Sequence, residues 1–451
     1  WTAVSGITFQ ATTAAAQITF DDNNSGAFAN TFYSSAQGQY LSSVNVAQNW
    51  VGYNSAGFLN RDTYYLQTYI HEIGHALGLG HAGNYNGGAS YGSDALNPSE
   101  SWQLSVMSYF DQAEATGVNA SFAYVVTPMI ADIAAIHQIY GAPAGVNTGA
   151  TTHDIAQFYT DLDVQQSIAL SIVDASGRDL LDFSGLTLGV TVDLAPQSIS
   201  DIRGLIGNFS IANGTWIEDA LGTGNADTLT GNDLNNRLWG EGGHDMLNGG
   251  AGYDKLWGGL GDDALTGGAD TGDVSDWLFG GAGDDTLTGG AGNDFLYGME
   301  DDDILIGGAG TDVLHGHGGN DTLEGGALSD LLMGNAGADW LDGQDGNDRL
   351  NGGSGADVFH NEGGLNDGTD WIQDFAYLEG DILSIGIDGA TQSDFVLGYQ
   401  DFANAGIAGV DEVLVQYLPT RDTIFALVDG STETALRLSL DGGTTSFDLL
   451  V

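Results

Sequence analysis

Between Gly222 and His360 an apolar residue returns at every ninth position, set in a background of Gly, Asp and Asn. Gly249-Gly-Ala-Gly-Tyr-Asp254-Lys-Leu256-Trp, Gly280-Gly-Ala-Gly-Asp-Asp285-Thr-Leu287-Thr and Gly289-Gly-Ala-Gly-Asn-Asp294-Phe-Leu296-Tyr show the unit most clearly. Fifteen units follow one another, with first glycines at 222, 231, 240, 249, 258 and 267 and, after a four-residue insertion in the sixth, at 280 and every ninth residue to 352. Each reads as a six-residue glycine-rich turn ending in Asp, followed by a three-residue strand with a central apolar side chain. One such unit cannot bury that side chain alone, so the pattern predicts stacked repeats sharing a continuous core.

Ahead of the repeats the periodicity changes. Leu66, Ile70, Ile73 and Leu77 form an apolar stripe at helical spacing, which predicts a helix over 64–77 ended by Gly78. A second helix is predicted with Thr127 as N-cap, Pro128 at its first position, an apolar set of Met129, Ile130, Ile133, Ile136 and Ile139, and Gly141 just beyond. Residues 7–10 and 15–20 read as strands of a small sheet among polar loops.

Composition changes the picture in two ways. The net charge is −53 over 451 residues, and only nine of the 61 acidic residues fall in residues 1–150. So much acid repels nucleic acid and anionic membrane, and a compact fold then needs metal cations to neutralise it. A hydrophobic share of 42% separates the chain from disordered acidic segments. There is no Cys, which leaves His and carboxylate oxygen as metal ligands. No apolar run approaches the length of a membrane span, and the chain opens at Trp1 without a basic-then-apolar leader. A leader or propeptide is therefore expected to have been removed, or export to use another signal.

The first predicted helix carries His71-Glu72-Ile73-Gly74-His75, whose spacing of four puts both imidazoles on one face a turn apart. Gly78 can adopt the left-handed conformation that turns the chain, and His81 follows three residues on as a third ligand. Three neutral imidazoles suit zinc and leave its fourth position to water, acidified by the metal to a pKa near 7. Glu72 lies where it can take that water's proton. A lone H-E-x-x-H has structural explanations as readily as functional ones, and Met107 or Tyr109 alone would be read as packed side chains. It is Ser105-Val106-Met107-Ser108-Tyr109 following the complete H-E-x-x-H-x-x-G-x-x-H that points to a methionine turn.

On these motifs the chain resembles the serralysin-type proteases, zinc endopeptidases of the metzincin group with C-terminal calcium-binding RTX repeats. The resemblance extends over 128–141, 174–185, the nonapeptide array and the C-terminal Asp448-Leu-Leu-Val. It implies an α+β metzincin-like catalytic domain over 1–145 lacking its N-terminal portion, a junction and start of the β domain over 146–221, a right-handed parallel β-roll over 222–360, and a β-rich C-terminal cap with a secretion signal over 361–451. Met107 would floor the zinc site, and Tyr109 would be an additional zinc ligand that swings away to stabilise the tetrahedral intermediate. Phe110 stands where the family usually has Trp. Family members usually carry roughly a further hundred residues before the segment resembling 1–20, an ordinary domain's worth of chain, so a fragment, a processed form or a short variant is expected.

The glycine turns can aim carbonyls inward while each sixth-position Asp adds a charged oxygen, the hard ligand set that calcium prefers over magnesium. The expected calcium ligands in the roll are Asp245, Asp254, Asp263, Asp285, Asp294, Asp312, Asp321, Asp339 and Asp348. Leu328 and Asp301 replace a turn glycine and Asn236 the sixth-position Asp, so weak or no metal binding is expected there. By resemblance, a junction site uses carbonyls near Thr151 and His153 with Asp174, Asp179 and Glu218, and a cap site uses Asp370, Asp374 and Asp381. Ser176 and Thr151 depart from the family at the junction.

The same resemblance implies type I secretion from a Gram-negative bacterium into the extracellular space, with folding on exposure to calcium. The expected partners are protein or peptide substrates, a small periplasmic inhibitor and the secretion machinery; the chain is expected to be a monomer. An edge strand near 26–32 is expected to pair with extended substrate. A calcium-dependent adhesin with an inactive protease domain is the competing reading, against which the complete zinc ligand set argues. A lipase or a lyase carrying similar repeats ranks below the peptidase, and no group of Tyr, His and Arg is set for a lyase.

Overall fold

The computed structural model describes residues 1, 18–21, 27–34, 39–46, 64–83, 89–96, 98–142, 147–162, 167–268, 275–363, 367–387, 389–400, 402, 410–428, 435–440 and 446–449. The strand expected over 7–10 lies outside them. The chain forms two compact units, Trp1–Thr223 and Gly224–Val451.

In the first unit, Gln39–Val46 is the central strand of a three-stranded sheet, parallel to Ile18–Asp21 on one side and antiparallel to Ala27–Ser34 on the other. Ala27–Ser34 is thus an outer strand among the described residues. The helix Tyr64–Ala76 buries Ile70 against Leu77, Leu79, Trp102, Val106, Met107, Val125, Met129 and Ile136, with Leu66 and Ile73 packed at the margin. Two of the carbonyls that a helix end leaves without intrahelical partners are taken by side chains: Ser42 Oγ donates to Ala76 O at 3.3 Å and Tyr140 Oη to Leu77 O at 2.7 Å.

The second helix begins at Ile130, two residues later than the Thr127 cap predicts, and runs to Tyr140. Thr127 Oγ1 instead accepts the Ser171 N–H at 2.7 Å, while the Asp132 carboxylate accepts the Met129 N–H at 2.9 Å and so caps the helix from within. Of the predicted stripe, Ile133 and Ile136 are buried but Ile139 is exposed.

The second unit is a parallel β-solenoid. In the repeats each strand pairs in parallel with the one 18 residues further on, so two nine-residue units make one coil and consecutive strands alternate between two sheets, whereas in the cap Glu412–Tyr417 pairs antiparallel with Phe395–Gln400 and Asp422–Leu427, and Arg437–Leu440 with Ser446–Asp448. Where the insertion falls the register steps by 22, as in Lys255 with Trp277. The central residue of every strand points inward: Leu238, Leu256, Leu278, Leu296 and Leu314 stack in one wall, Leu265, Leu287, Leu305 and Leu323 in the other, all essentially inaccessible. On one outer face Trp239, Trp257, Phe279, Tyr297 and His315 form a column of rings with centroids 5.0, 5.6, 5.1 and 5.3 Å apart, identical positions on successive coils being cross-strand neighbours. No helix among the described residues is long and apolar enough to cross a membrane.

Candidate metal centre

The helix places His71 and His75 one turn apart, with ring centroids separated by 4.7 Å and planes at 90°. Beyond it Gly78 takes φ of +100°, a conformation that a side chain would strain, and the chain turns back so that Leu79 N donates to Gly74 O at 3.0 Å. This carries the His81 ring to 4.5 Å from that of His75 and 5.3 Å from that of His71. One nitrogen from each of the three lies within 4.8 Å of the others, and His75 Nε2 is 3.0 Å from His81 Nε2. Two nitrogens bound tetrahedrally at zinc distance stand about 3.3 Å apart.

Hydrogen bonds on the far edges of the rings support the same reading. His71 Nδ1 donates to Val106 O at 2.7 Å and His75 Nδ1 to Leu79 O at 2.8 Å, which fixes the tautomers so that each Nε2 keeps its lone pair for a metal. Burial, aided by the neighbouring imidazoles, pushes His71 down to about 4, keeping it neutral. Glu72 is buried, its Oε2 has no hydrogen-bond partner, and burial pushes its carboxyl up to about 7. A buried carboxylate oxygen without a donor suits a group awaiting a proton or a polarised water. The donor set therefore fits zinc.

The turn at Met107 lies against this helix. A Cβ on Gly74 would come within 2.7 Å of Met107 Sδ, so glycine at the fourth position of the motif is what lets the two segments meet. The turn is anchored by Asp132, which sequence reasoning missed: it accepts from Ser105 Oγ at 2.6 Å and from Val106 N at 2.7 Å. Burial raises this carboxyl to about 6, against the opposing effect of its donors. An acid in the first turn of a helix is ordinary, and nothing local in the sequence signals that this one is buried. The Tyr109 ring stands 4.6 Å from that of His81 and 5.9 Å from that of His71. A cleft of about 420 Å³ opens over the centre, lined by Tyr64, Gln67, Thr68, His71, Glu72 and Trp102 and bordered by Ala27 of the outer strand.

In the solenoid the sixth-position acids form two ladders. Asp245, Asp263, Asp285, Asp303, Asp321, Asp339 and Asp357 succeed one another in one, each Oδ1 accepting the N–H of the residue one coil earlier. Asp254, Asp276, Asp294, Asp312, Asp330 and Asp348 form the other. The Oδ2 of Asp245, Asp263, Asp285, Asp303, Asp312, Asp321, Asp330, Asp339, Asp348 and Asp357 is buried with no hydrogen-bond partner. A row of orphaned carboxylate oxygens is the arrangement that a row of cations satisfies. Asp276, Asp303, Asp330 and Asp357 are additions to the expected set, and their sixth-position spacing was the signal. The substitutions at Asp301 and Leu328 do not interrupt the ladder, because those residues take φ of 74° and 83° where glycine would have done so at no cost. Asn236 does not extend the row of free oxygens: its Oδ1 accepts the Asn232 N–H at 2.8 Å.

Asp370 and Asp381 continue the two ladders into the cap through Asp348 N at 3.3 Å and Asp357 N at 3.1 Å. Their second oxygens accept from Asn361 Nδ2 and Ala376 N, and Asp374 holds Gly352 N and Gly353 N. At the junction, Asp179 Oδ1 accepts the Thr151 N–H at 2.7 Å while Oδ2 is buried without a partner, and Glu218 Oε2 accepts the Asp179 N–H. Asp174 is engaged by His153 Nε2 at 3.0 Å and by Ser176 N. The fork of Arg178 on Asp219 beside them was not foreseen.

Residues 144–417, more than half of the chain, match the family model described as Peptidase M10 serralysin C terminal, and residues 4–116 match Peptidase M66. Serralysin C of Dickeya chrysanthemi is 41% identical over 191 residues, 40% of this chain and 40% of that protein. A serralysin of Photorhabdus laumondii subsp. laumondii is 37% identical over 255 residues, 53% of this chain and 52% of that protein. Metalloprotease AprA of Pseudomonas entomophila is 37% identical over 206 residues, 42% of each. The chain thus spans about two fifths to one half of the length of the curated relatives it matches.

Proposed function

Since the chain belongs to the serralysin family of metallopeptidases, we propose that it is a secreted zinc-dependent endopeptidase that hydrolyses peptide bonds of extracellular proteins. The observation that carries this reading is the convergence of His71, His75 and His81 within 4.8 Å beside the buried, unpartnered Oε2 of Glu72. Zinc held by these imidazoles supplies Lewis acidity to a peptide carbonyl and acidifies water. Glu72 Oε2 takes the proton of the attacking water and hands it to the departing amine, a task suited to a carboxyl raised toward neutrality. Tyr109, at the rim of the same cleft, offers its hydroxyl as a donor where charge develops on the former carbonyl oxygen. The outer strand Ala27–Ser34 lies where an extended peptide can add to the sheet.

In this reading residues 1–145 are the metzincin-like catalytic domain, 146–221 the junction, 222–360 the calcium roll and 361–451 the cap. The buried Oδ2 rows hold calcium, and the solenoid folds when calcium reaches it after type I export. Asp174, Asp179 and Glu218 at the junction and Asp370, Asp374 and Asp381 in the cap are the further calcium ligands. Hydrolysis of unfolded casein in zinc and calcium, run beside Glu72→Ala with bound zinc assayed in both, tests the proposal. Loss of activity with zinc retained supports Glu72 as the base; inactivity of both proteins rejects the peptidase in favour of a calcium-dependent binding protein.

A further inference from the structure

Gln67 lies one helical turn, about 6 Å, before His71 and so continues the stripe of His71 and His75 along the wall of the cleft. Its side chain is 3% exposed. Oε1 accepts the Val125 N–H at 3.0 Å, and since only the oxygen of a carboxamide can accept, this bond fixes which branch is which. The Nε2 branch is left as the donor that Gln67 can present to the cleft. The two aliphatic hydroxyls beside it are already engaged as donors: Thr68 Oγ1 donates to Tyr64 O at 2.7 Å, and Ser108 Oγ to Phe110 O at 3.4 Å. Trp102, Val106, Ala27 and Ala89 give the same cleft apolar walls. Glu72 also lines it, in a chain of net charge −53, so an anionic side chain is repelled.

We propose that Gln67 is a specificity-determining residue: its fixed amide selects substrate side chains with an apolar body and a neutral hydrogen-bond acceptor at the tip, namely Gln, Asn and Tyr. This rests on the peptidase reading for the identity of the ligand as a peptide. The test uses the whole chain loaded with zinc and calcium and two matched peptide series differing only at the residue that enters the pocket, Gln against Met and Tyr against Phe. Affinity and kcat/KM are measured separately. Wild type is expected to favour Gln and Tyr by about 10-fold, the worth of one hydrogen bond. Gln67→Leu is expected to bring both ratios to about one. Gln67→Glu keeps an acceptor for Val125 N, and with it the local fold, but turns the free branch from donor to acceptor, so its preference moves to a Lys-tipped peptide.

Equal ratios in all three proteins overturn the proposal. Peptides bound with this preference but left uncut support the pocket and reject the peptidase, whereas cutting without preference does the reverse. Peptides neither bound nor cut overturn both.

Discussion

Asp132 holds Val106 by its N–H at 2.7 Å, and the carbonyl of Val106 in turn takes the His71 Nδ1–H at 2.7 Å. A carboxylate that touches no candidate metal ligand thereby sets the orientation of one. Asp132→Asn preserves volume but loses one acceptor among the Ser105, Val106 and Met129 donors. Zinc affinity is expected to fall by about 10-fold or more, read by competition with a chromogenic chelator. Circular dichroism checks that the fold persists; unchanged affinity in a folded variant would show the anchor to be irrelevant to the centre.

Gly74→Ala places a methyl group 2.7 Å from Met107 Sδ. Overpacking of this kind costs about 1–3 kcal/mol, and here the buried Met107 side chain must shift under the centre to relieve it. The variant is expected to melt earlier and to bind zinc more weakly, as differential scanning fluorimetry with and without zinc would report. An alanine accepted without loss of either would mean that the turn moves freely.

The ladder acids give a pH prediction with a definite sign. Without metal, burial first and then neighbouring carboxylates push Asp245, Asp285 and Asp339 up to about 7 and Asp303 up to about 8. The folded calcium-free chain then binds more protons than the unfolded chain between about pH 4, where free carboxylates titrate, and pH 7 to 8. Its stability falls as pH rises through that window. With calcium on the same oxygens the dependence reverses, because protons now compete with the bound ion. In chelator the β content read by circular dichroism is therefore expected to rise as pH is lowered from 8 to 5, whereas in calcium the melting temperature falls over the same range; β content in chelator that is indifferent to pH would argue against this role of the buried carboxylates.

Leu328 is exposed and held at φ of 83° in a position designed for glycine. Leu328→Gly relieves backbone strain of about 1 kcal/mol and removes an apolar side chain from solvent. A modest rise in melting temperature of the calcium-loaded protein is the expected result, and a fall would show that Leu328 makes contacts worth more than the strain.

The features legible in the sequence were the local ones. Imidazoles four apart on a helix, a glycine turn and a third His are fixed by neighbouring residues, as is a strand whose central Leu repeats every nine positions. What escaped depends on partners far along the chain. Thr127 looks like a helix cap but is taken by Ser171, 44 residues away. Asp132 clamps a turn 26 and 27 residues behind it, and Gln67 is oriented by Val125, 58 residues on. Asp303 and Asp330 were discounted because an irregular turn preceded them, yet the ladder is maintained by the coils on either side.

The 18-residue register makes the solenoid indifferent to length in one unit of change and intolerant of another. Removing a whole coil slides every later strand down one step onto an equivalent neighbour, with both ladders and the aromatic column still in line. Removing nine residues exchanges the two sheets for everything downstream, sending Trp and Phe positions to the face that carries Thr and stranding the cap on the wrong edge. Such a protein can lengthen or shorten only in even numbers of repeats, and the step of 22 residues from Lys255 to Trp277 and from Ala264 to Thr286 leaves each strand in its own sheet and that parity intact.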